Sequence, residues 1–411
     1  MDSLLGCARN SCDTSMVPDT HLLKFLFASR YYNCLKYFEL QGMAMNKLRQ
    51  ILRNDTVLCL AVLLAVFSSV FAAPKLSYID FDVLCVLLSL MLVVAGLKSI
   101  SFLDWAAVEL LNSCHSSRQV ALALVGITYI SSMFVTNDVA LLTFVPLALV
   151  IGKALTMDME RIIILQTLAA NLGSMLTPPG NPQNLFLFAH YHYTAGSFFS
   201  VMLLPCALSL VYLGVLLWRG RSHELTLALA ALPKPARAGT LLLLALLALN
   251  IAAVLHVLDK KMALAVTIAA VFAFDRSLFK KVDYSLLVTF IGFFIFIGNI
   301  SHSSLTLQLQ QSLLGTATGT YFAALIASQF ISNVPAAMLL AGLTQEADAL
   351  LLGVNIGGLG TMIASMASVI SYKLFMSEHP AQAGRYVRMF LFYNFAGLLL
   401  LGIAVYFVML F

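Results

Sequence analysis

Two polar interruptions, one in each half of the chain, lie inside segments apolar enough to sit in a lipid bilayer. In the first half, residues 134–138 (FVTND) are followed by 171–182 (NLGSMLTPPGNP). In the second half, residues 330–335 (FISNVP) are followed by 358–365 (GLGTMIAS). Hydrocarbon cannot satisfy a broken helix or an isolated amide, so such breaks persist only where they are buried in protein or line a wet cavity. Matching breaks in both halves predict a binding site between two structural repeats, a pattern typical of secondary transporters.

The composition excludes a soluble globular chain. Hydrophobic residues make up 61% of the sequence and charged residues 10%, which leaves too few polar side chains to cover a surface in water. The formal net charge of +5 does not indicate a nucleic-acid partner, because most lysines and arginines lie in short stretches between apolar windows. The seven cysteines show no metal-ligand spacing and are expected to be free thiols. We therefore predict an integral membrane protein surrounded by lipid, with no cofactor.

Nine apolar windows are predicted to cross the membrane, and two further apolar segments are interrupted midway by an asparagine motif. The predicted crossings are 56–73, 78–98, 159–188, 197–218, 240–258, 261–275, 284–299, 347–376 and 387–411. The interrupted segments 118–154 and 317–345 are interpreted as hairpins that enter and leave the membrane on the same side. The predicted fold class is an all-α polytopic membrane protein with inverted repeats, each with a re-entrant helical hairpin and a broken transmembrane helix.

The basic residues orient these spans. Most lysines and arginines between spans fall on one predicted side, whereas the opposite segments 189–196, 300–316 and 345–347 contain none. The positive-inside rule then places the N-terminus in the cytoplasm and the C-terminus in the periplasm of a bacterial inner membrane. The predicted domains are an extension of undecided status (1–45), a first membrane repeat (46–218), a cytoplasmic linker (219–239), and an inverting span with the second repeat (240–411). The extension is either a mobile tail or a wrongly assigned start.

The interrupted segments offer groups that could bind ions of both signs. Hairpin tips present helix N-termini, whose free N–H groups and positive dipole ends suit an anion. Unwound carbonyls and the oxygens of asparagine, serine and threonine suit a small hard cation such as Na⁺. Helix packing is the alternative explanation for each position alone, but polar positions in two-fold register favour a site. The predicted binding residues are Thr136, Asn137, Asp138, Ser174, Thr177, Gly180, Asn181, Ser332, Asn333, Thr361 and Ser365, with a possible Na⁺ site at Asn137, Asp138 and Asn333.

Asp138 is the acidic residue that most strongly indicates function. A carboxylate at membrane depth is costly and is taken as functional by default. Its counterpart in the second half is Val334, so the two tips are not equivalent. Asp138 could bind a cation or carry a coupling proton; the alternatives are a helix cap at the tip or an ion pair with Lys153.

At 136–141 (TNDVAL), 145–146 (VP), 180–184 (GNPQN) and 332–335 (SNVP) the chain resembles the ion transporter superfamily. That superfamily includes arsenite permeases, citrate and dicarboxylate carriers, and NhaD-type sodium/proton antiporters, and the resemblance is strongest to the arsenite-permease and YbiR-like anion permease branch. It covers roughly residues 56–411 and implies a homodimer with a scaffold and a transport part that moves like an elevator.

The resemblance also implies roles for the tip residues. Thr136, Asn137, Ser332 and Asn333 take the positions that contact cation and anion in the dicarboxylate carriers. Those carriers have Ser-Asn-Thr at both tips, whereas here the third position is Asp138 in one half and a valine in the other.

The sequence leaves several classes of function open. The favoured one is a secondary active transporter that moves a small inorganic or carboxylate anion, coupled to Na⁺ or H⁺. The alternative is a Na⁺/H⁺ antiporter with Asp138 as the shared site, although antiporters usually need more acidic groups than this one buried carboxylate. A membrane-embedded enzyme or assembly subunit is disfavoured because no nucleophile, metal set or cofactor motif is present in the sequence. A channel is a further alternative, but hairpins that close from opposite sides suit an alternating-access transporter better.

Overall fold

The computed structural model describes residues 56–155, 159–220, 222–224, 232–300, 308 and 313–410. The predicted extension 1–45 lies outside these residues. The chain divides into two units, Met1–Cys59 and Leu60–Phe411. Only the beginning of the first helix belongs to the described part of the first unit, so the fold below is that of the second.

The regular structure of the described residues is helical, apart from one isolated β-bridge between Ser116 and Glu224. The helices are α1 (Thr56–Ser69), α2 (Phe81–Ser99), α3 (Phe102–Leu111), α4 (Ser117–Val135), α5 (Asn137–Leu155), α6 (Glu160–Ser174), α7 (Pro182–His190), α8 (Ala195–Trp218), α9 (Arg237–Val254), α10 (Lys260–Phe274), α11 (Tyr284–Ile300), α12 (Ala317–Ile331), α13 (Asn333–Ala341), α14 (Ala347–Gly357), α15 (Met366–Glu378) and α16 (Ala383–Val405). The all-α prediction is confirmed.

Several of these helices suit a bilayer. Helices α2, α4, α8, α9 and the stretch Pro380–Leu410 that contains α16 are long and apolar enough to cross one, while α11, α12 and α14 are shorter apolar helices. Large hydrophobic side chains are well exposed on several of them, including Val211, Trp218 and Phe392. Such a surface is stable in lipid and would aggregate in water. The protein is therefore an integral membrane protein; the number of crossings stays a prediction.

Each predicted hairpin is a pair of packed helices joined by a single residue. Thr136 joins α4 to α5, and Ser332 joins α12 to α13. The two joining residues have nearly the same backbone conformation, with φ/ψ of 72°/152° at Thr136 and 76°/152° at Ser332. Residues with a side chain rarely adopt this conformation, which costs on the order of 1–3 kcal/mol and persists only where the surroundings impose it.

The two predicted long spans after the hairpins are each interrupted. The first consists of α6 and α7, separated by residues 175–181 with a 3₁₀ turn at Pro178–Gly180. The second consists of α14 and α15, separated by residues 358–365. Prolines remove helical hydrogen bonds in the first break, and glycines weaken the helix in the second.

The same packing recurs in both halves. Helix α4 lies along α6 as α12 lies along α14, and α6 packs on α8 as α14 packs on α16. Contacts between the halves also correspond, since α5 packs on α15 and α13 packs on α7. A further group is formed by α2, α9, α10 and α11, of which α2 contacts the other three; this group meets the rest of the fold where α11 packs on α13 and α2 packs on α7. The buried Asn250 side chain of this group donates to Thr267 at 2.9 Å and so joins α9 to α10.

Candidate functional site

Each break is bound to the hairpin of its own half by a threonine. The Thr177 hydroxyl donates to the backbone carbonyl of Met133, and the Thr361 hydroxyl donates to that of Gln329 at 2.9 Å. Met133 and Gln329 both lie three residues before the residue that joins their hairpin helices. The Gln329 side chain adds further bonds, accepting from the Thr361 N–H and donating to the Gly357 carbonyl, both at 2.9 Å. Hairpin and break therefore form one unit in each half.

The two broken helices are also joined across the halves. Asn181 begins α7 and donates through Nδ2 to Oδ1 of Asn355 at 3.2 Å. Ser365, at the corresponding start of α15, donates to Oδ1 of Asn171 at 2.8 Å. Asn355 in turn donates to Oδ1 of Asn184 at 2.7 Å. We call these five residues, all buried, the amide cluster. Ser174 connects the two sets of bonds, because its hydroxyl accepts from Asn181 at 3.2 Å and donates to the Asn171 carbonyl at 3.0 Å. A connected network in a low-dielectric interior holds its members rigidly.

The first hairpin tip contacts this cluster directly. Asn137 donates through Nδ2 to Oδ1 of Asn171 at 3.3 Å and accepts from the backbone N–H of Asp138 at 2.9 Å. At the second tip, the Asn333 N–H donates to the Ala364 carbonyl at 2.9 Å, one residue before Ser365. Both tips therefore lie against the unwound part of a broken helix.

Two buried polar atoms at the first tip have no hydrogen-bond partner within the described residues. They are Oδ1 of Asp138 and Nδ2 of Asn171. Leaving a buried polar group unpaired costs about 1–3 kcal/mol. A carboxylate oxygen suits a cation or a proton, and an amide N–H suits an anion or another acceptor. The first tip therefore presents groups for both kinds of ion.

A cavity of about 610 Å³ lies beside the first tip. Thr136, Asp138 and Asn181 line it from the hairpin and the break, while α2 and the start of α11 line it from the other side. Most of the lining is apolar, and the charged residues on it are Lys98, Asp138, Lys281 and Asp283. The volume suits a small solute, and the few polar groups could orient it.

The predicted site residues occupy different places in this arrangement. Thr136, Asp138 and Asn181 line the cavity, and Ser174 accepts from Asn181 at 3.2 Å beside the cluster. Gly180 is required by close packing, because a Cβ there would lie 2.1 Å from the Ser174 carbonyl oxygen. Thr177 and Thr361 fasten the hairpins, and Ser365 belongs to the amide cluster. The second tip, with Ser332 and Asn333, lies against Ala364 and is not part of the cavity lining.

The possible Na⁺ ligands are accordingly divided between two places. Asn137 and Asp138 are neighbours at the first tip, whereas Asn333 lies against Gly358 in the break of the second broken helix. Within the described residues, no group of three or more histidine, cysteine or acidic side chains could hold a metal ion. Na⁺ at these positions stays a prediction, and its ligands would be amide, hydroxyl and carbonyl oxygens with one carboxylate.

The alternative ion pair between Asp138 and Lys153 is wrong. The Lys153 ammonium contacts Glu378 at the end of α15, with an N–O distance of 2.5 Å. Lys153 lies near the end of α5 and Asp138 at its beginning, so the length of the helix separates them. The Lys153 ammonium holds the pKa of the Glu378 carboxyl below its ordinary value. Asp138 therefore lacks the cation that would have made it a structural ion pair.

Four residues of the site were not among the predicted binding residues: Asn171, Asn184, Gln329 and Asn355. A signal for two of them, Asn171 and Asn355, was present in the spacing. Asn171, Thr177 and Asn181 are separated by six and four residues, as are Asn355, Thr361 and Ser365. The pairing of Asn-Leu-Gly at 171–173 with Asn-Ile-Gly at 355–357 would have indicated Asn355.

An all-helical membrane protein in which two broken helices share a buried amide cluster beside a cavity has the architecture of a transporter. The chain belongs to the citrate transporter family, whose model matches residues 43–351. This confirms the resemblance to the ion transporter superfamily, and the family is one of transporters rather than enzymes.

Two relatives match over most of their own length. The uncharacterized transporter MJ0456 of Methanocaldococcus jannaschii is 31% identical over 72% of this chain and 81% of its own length. The inner membrane protein YbiR of Escherichia coli is 30% identical over 79% of this chain and 88% of its own length. A shorter match, 26% identical over 34% of this chain and 25% of the relative, is to the putative transporter arsB of Dictyostelium discoideum.

Proposed function

We propose that the protein is a secondary active transporter that moves a small anion across the membrane by an elevator-like alternating-access mechanism, coupled to Na⁺ or H⁺. The observation that carries this proposal is the reciprocal bonding of the two broken helices. Asn181 of one bonds Asn355 of the other, and Ser365 bonds Asn171 in return. Broken helices that meet in a buried polar cluster are how transporters hold a polar solute away from lipid.

Inverted repeats are part of the proposal. The two tips share one unusual backbone conformation, and the two threonine-to-hairpin bonds correspond residue by residue. The packing of α5 on α15 matches that of α13 on α7. These correspondences support a two-fold relation between the halves. With the predicted span count, the second half would be inverted in the membrane.

The anion and the coupling ion would bind to different atoms of one site. The starts of α5, α7 and α15 are positive ends of helix dipoles, and Nδ2 of Asn171 is a buried donor without a partner among the described residues. These groups suit an anion. Oδ1 of Asp138 and the amide oxygens suit Na⁺, or the carboxylate takes up H⁺. A cation bound at Asp138 would also remove the repulsion between its charge and the anion.

The elevator movement would occur across the cavity. The proposed scaffold contains α2, α9, α10 and α11, and the moving part contains both hairpins and both broken helices. Each part is internally bonded, as at Asn250–Thr267 in the scaffold and Asn181–Asn355 in the moving part. The cavity lies between them, so sliding one part past the other would carry the site across the membrane. We further propose that the scaffold forms a homodimer.

The proposed location is a bacterial inner membrane, with the N-terminus cytoplasmic and the C-terminus periplasmic. The support is the concentration of lysine and arginine between alternate spans. The E. coli relative carries the description "inner membrane protein".

A Na⁺/H⁺ antiporter is the second candidate. It is favoured by one observation: Asp138 is a carboxylate that lines the cavity and has an oxygen without a partner among the described residues. The same group could then bind Na⁺ and H⁺ in alternation, with no anion involved.

Transport by purified protein in liposomes would decide between the candidates. Current and uptake are measured with a panel of anions, with and without Na⁺, at two pH values, and protein-free liposomes serve as the control. Anion-evoked current or uptake supports the anion carrier, and its dependence on Na⁺ or pH identifies the coupling ion. Proton flux driven by Na⁺ with no response to any anion would overturn the anion carrier in favour of the antiporter.

A further inference from the structure

Two lysines line the scaffold side of the cavity. Lys98 lies at the end of α2, and Lys281 ends the 3₁₀ turn Arg276–Lys281 that packs against α2. Both line the cavity, and both side chains are exposed. Neither forms an ion pair with any residue of the described chain. Their ammonium groups are therefore available to a solute in the cavity.

The carboxylates of the cavity are placed differently. Asp283 uses Oδ1 to accept the backbone N–H groups of Ser285 at 3.0 Å and Leu286 at 3.4 Å, which caps the start of α11. The N–H groups and the positive dipole end of α11 therefore partly compensate the negative charge of Asp283. Asp138 lies on the opposite wall, at the hairpin tip. A solute that approaches along the scaffold therefore meets the two lysines and the capped carboxylate of Asp283.

We propose that Lys98 and Lys281 form a vestibule that concentrates small anions before they reach the amide cluster. That the concentrated anion is also the transported solute rests on the proposed function. The attraction of the two lysines for anions in the cavity does not depend on that function. The rest of the α2 wall is apolar and includes Leu87, Leu90 and Val94. Low-dielectric walls focus the field of charges at a cleft and raise the local concentration of counter-ions. The vestibule therefore raises the rate of anion entry and opposes the entry of cations from this side.

The competing explanation is that the lysines only orient the spans in the membrane. Lysines that act as topology signals need only lie on the cytoplasmic side, and their position relative to a cavity is irrelevant. Lys280 provides the matched control, because it is an exposed lysine of the same turn that does not line the cavity. Removing its charge alters the net charge of the turn equally.

The test measures the local potential without requiring a known substrate. Leu142 on α5 lines the cavity and is 39% exposed, so Leu142→Cys in a background with the native cysteines changed to serine gives a reporter thiol. Its reaction rates are measured with an anionic sulfonatoethyl and a cationic trimethylammonioethyl methanethiosulfonate reagent at low salt. We expect the Lys98→Gln/Lys281→Gln double variant to lower the anionic-to-cationic rate ratio roughly tenfold, the low end of electrostatic focusing. The Lys280→Gln variant should leave the ratio unchanged.

Two further measurements cover variants that fail to fold. Lys98→Arg/Lys281→Arg keeps both charges and should keep the ratio. The reporter protein that keeps both lysines is also labelled in about 1 M salt, where the Debye length is about 3 Å. The anionic-to-cationic rate ratio should then approach the ratio measured for a small thiol free in solution. The proposal is overturned if the double variant matches Lys280→Gln, or if salt leaves the ratio unchanged. Anion transport without charge-selective labelling would contradict the vestibule and leave the proposed function standing. Charge-selective labelling without anion transport would contradict the proposed function and leave the vestibule standing.

Discussion

Asn181 and Asn355 lie 174 residues apart in the chain and are joined by a hydrogen bond of 3.2 Å from Nδ2 to Oδ1. The Asn181 side chain uses both of its N–H groups, because Nδ2 also donates to Ser174 at 3.2 Å, and its Oδ1 accepts the backbone N–H of Asn184 at 2.8 Å. One side chain therefore caps α7, closes the break before it and joins the other half. A residue with these three roles should tolerate little change.

Asn355→Ala should reduce both stability and transport. The substitution leaves the amides of Asn181 and Asn184 each short of a buried partner, at about 1–3 kcal/mol for an unpaired group. Thermal unfolding in detergent and uptake in liposomes give the two readouts. The control is Asn394→Ala, a buried asparagine of α16 whose Nδ2 donates to the Phe390 carbonyl of its own helix. Equal specific uptake by the two variants would remove the amide cluster from the transport site.

Asn137→Ala and Asn333→Ala should abolish transport and leave the fold intact. Both residues begin the second helix of a hairpin, and alanine favours a helix at that position. Uptake is normalised to the amount of correctly folded protein, judged by gel filtration and thermal unfolding. Wild-type rates in either variant would contradict the assignment of the tips as binding positions.

Asp138→Asn should remove the dependence of transport on the coupling ion. The amide is close in size to the carboxylate but carries no charge and takes up no proton near neutral pH. Uptake or exchange is measured over a range of Na⁺ concentrations and pH, and the wild-type slope is compared with that of the variant. If both slopes persist, Asp138 only caps the hairpin tip.

Ser332→Gly should not destabilise the protein, although serine-to-glycine changes normally do. The positive φ of 76° at Ser332 is strained for a residue with a Cβ, and glycine removes that strain. The matched control is Ser131→Gly inside α4, which should lower stability by about 0.5–1 kcal/mol, as glycine does in a helix interior. An equal loss at both positions would mean that the tip conformation is not imposed on Ser332 in the folded protein.

The Lys153–Glu378 ion pair should stabilise the folded protein at neutral pH and lose this effect in acid. Lys153 lowers the pKa of Glu378, so the folded state favours the ionised carboxyl. The contribution is present above the unfolded pKa and is lost as pH falls through the lower folded pKa. Comparing Lys153→Gln with wild type by thermal unfolding should give a difference near neutral pH that disappears in acid. Since both side chains are exposed, the difference should be small, and Lys280→Gln should show none.

The sequence predicted the positions of the tips and breaks because their signals are local. Asparagine at the middle of an apolar segment, and proline or glycine within a span, disrupt a helix wherever they occur. The partners of these residues are not local. Nothing near Asn355 distinguishes an asparagine that packs helices from one that bonds Asn181, and the pairing of Lys153 with Glu378 depends on how α5 and α15 meet. A comparison of the two halves would have helped with Asn355, because the repeated spacing of 171–181 and 355–365 marks it as the counterpart of Asn171.

The exchange of bonds between the broken helices has a consequence for biosynthesis. Asn181 enters the membrane long before Asn355 has been translated, so the first broken helix must wait without its partner while the next 174 residues are made. During that interval its polar side chains require water, lipid headgroups or an insertion factor. We expect the first half, produced alone, to be degraded, and to be rescued when the second half is supplied as a separate polypeptide.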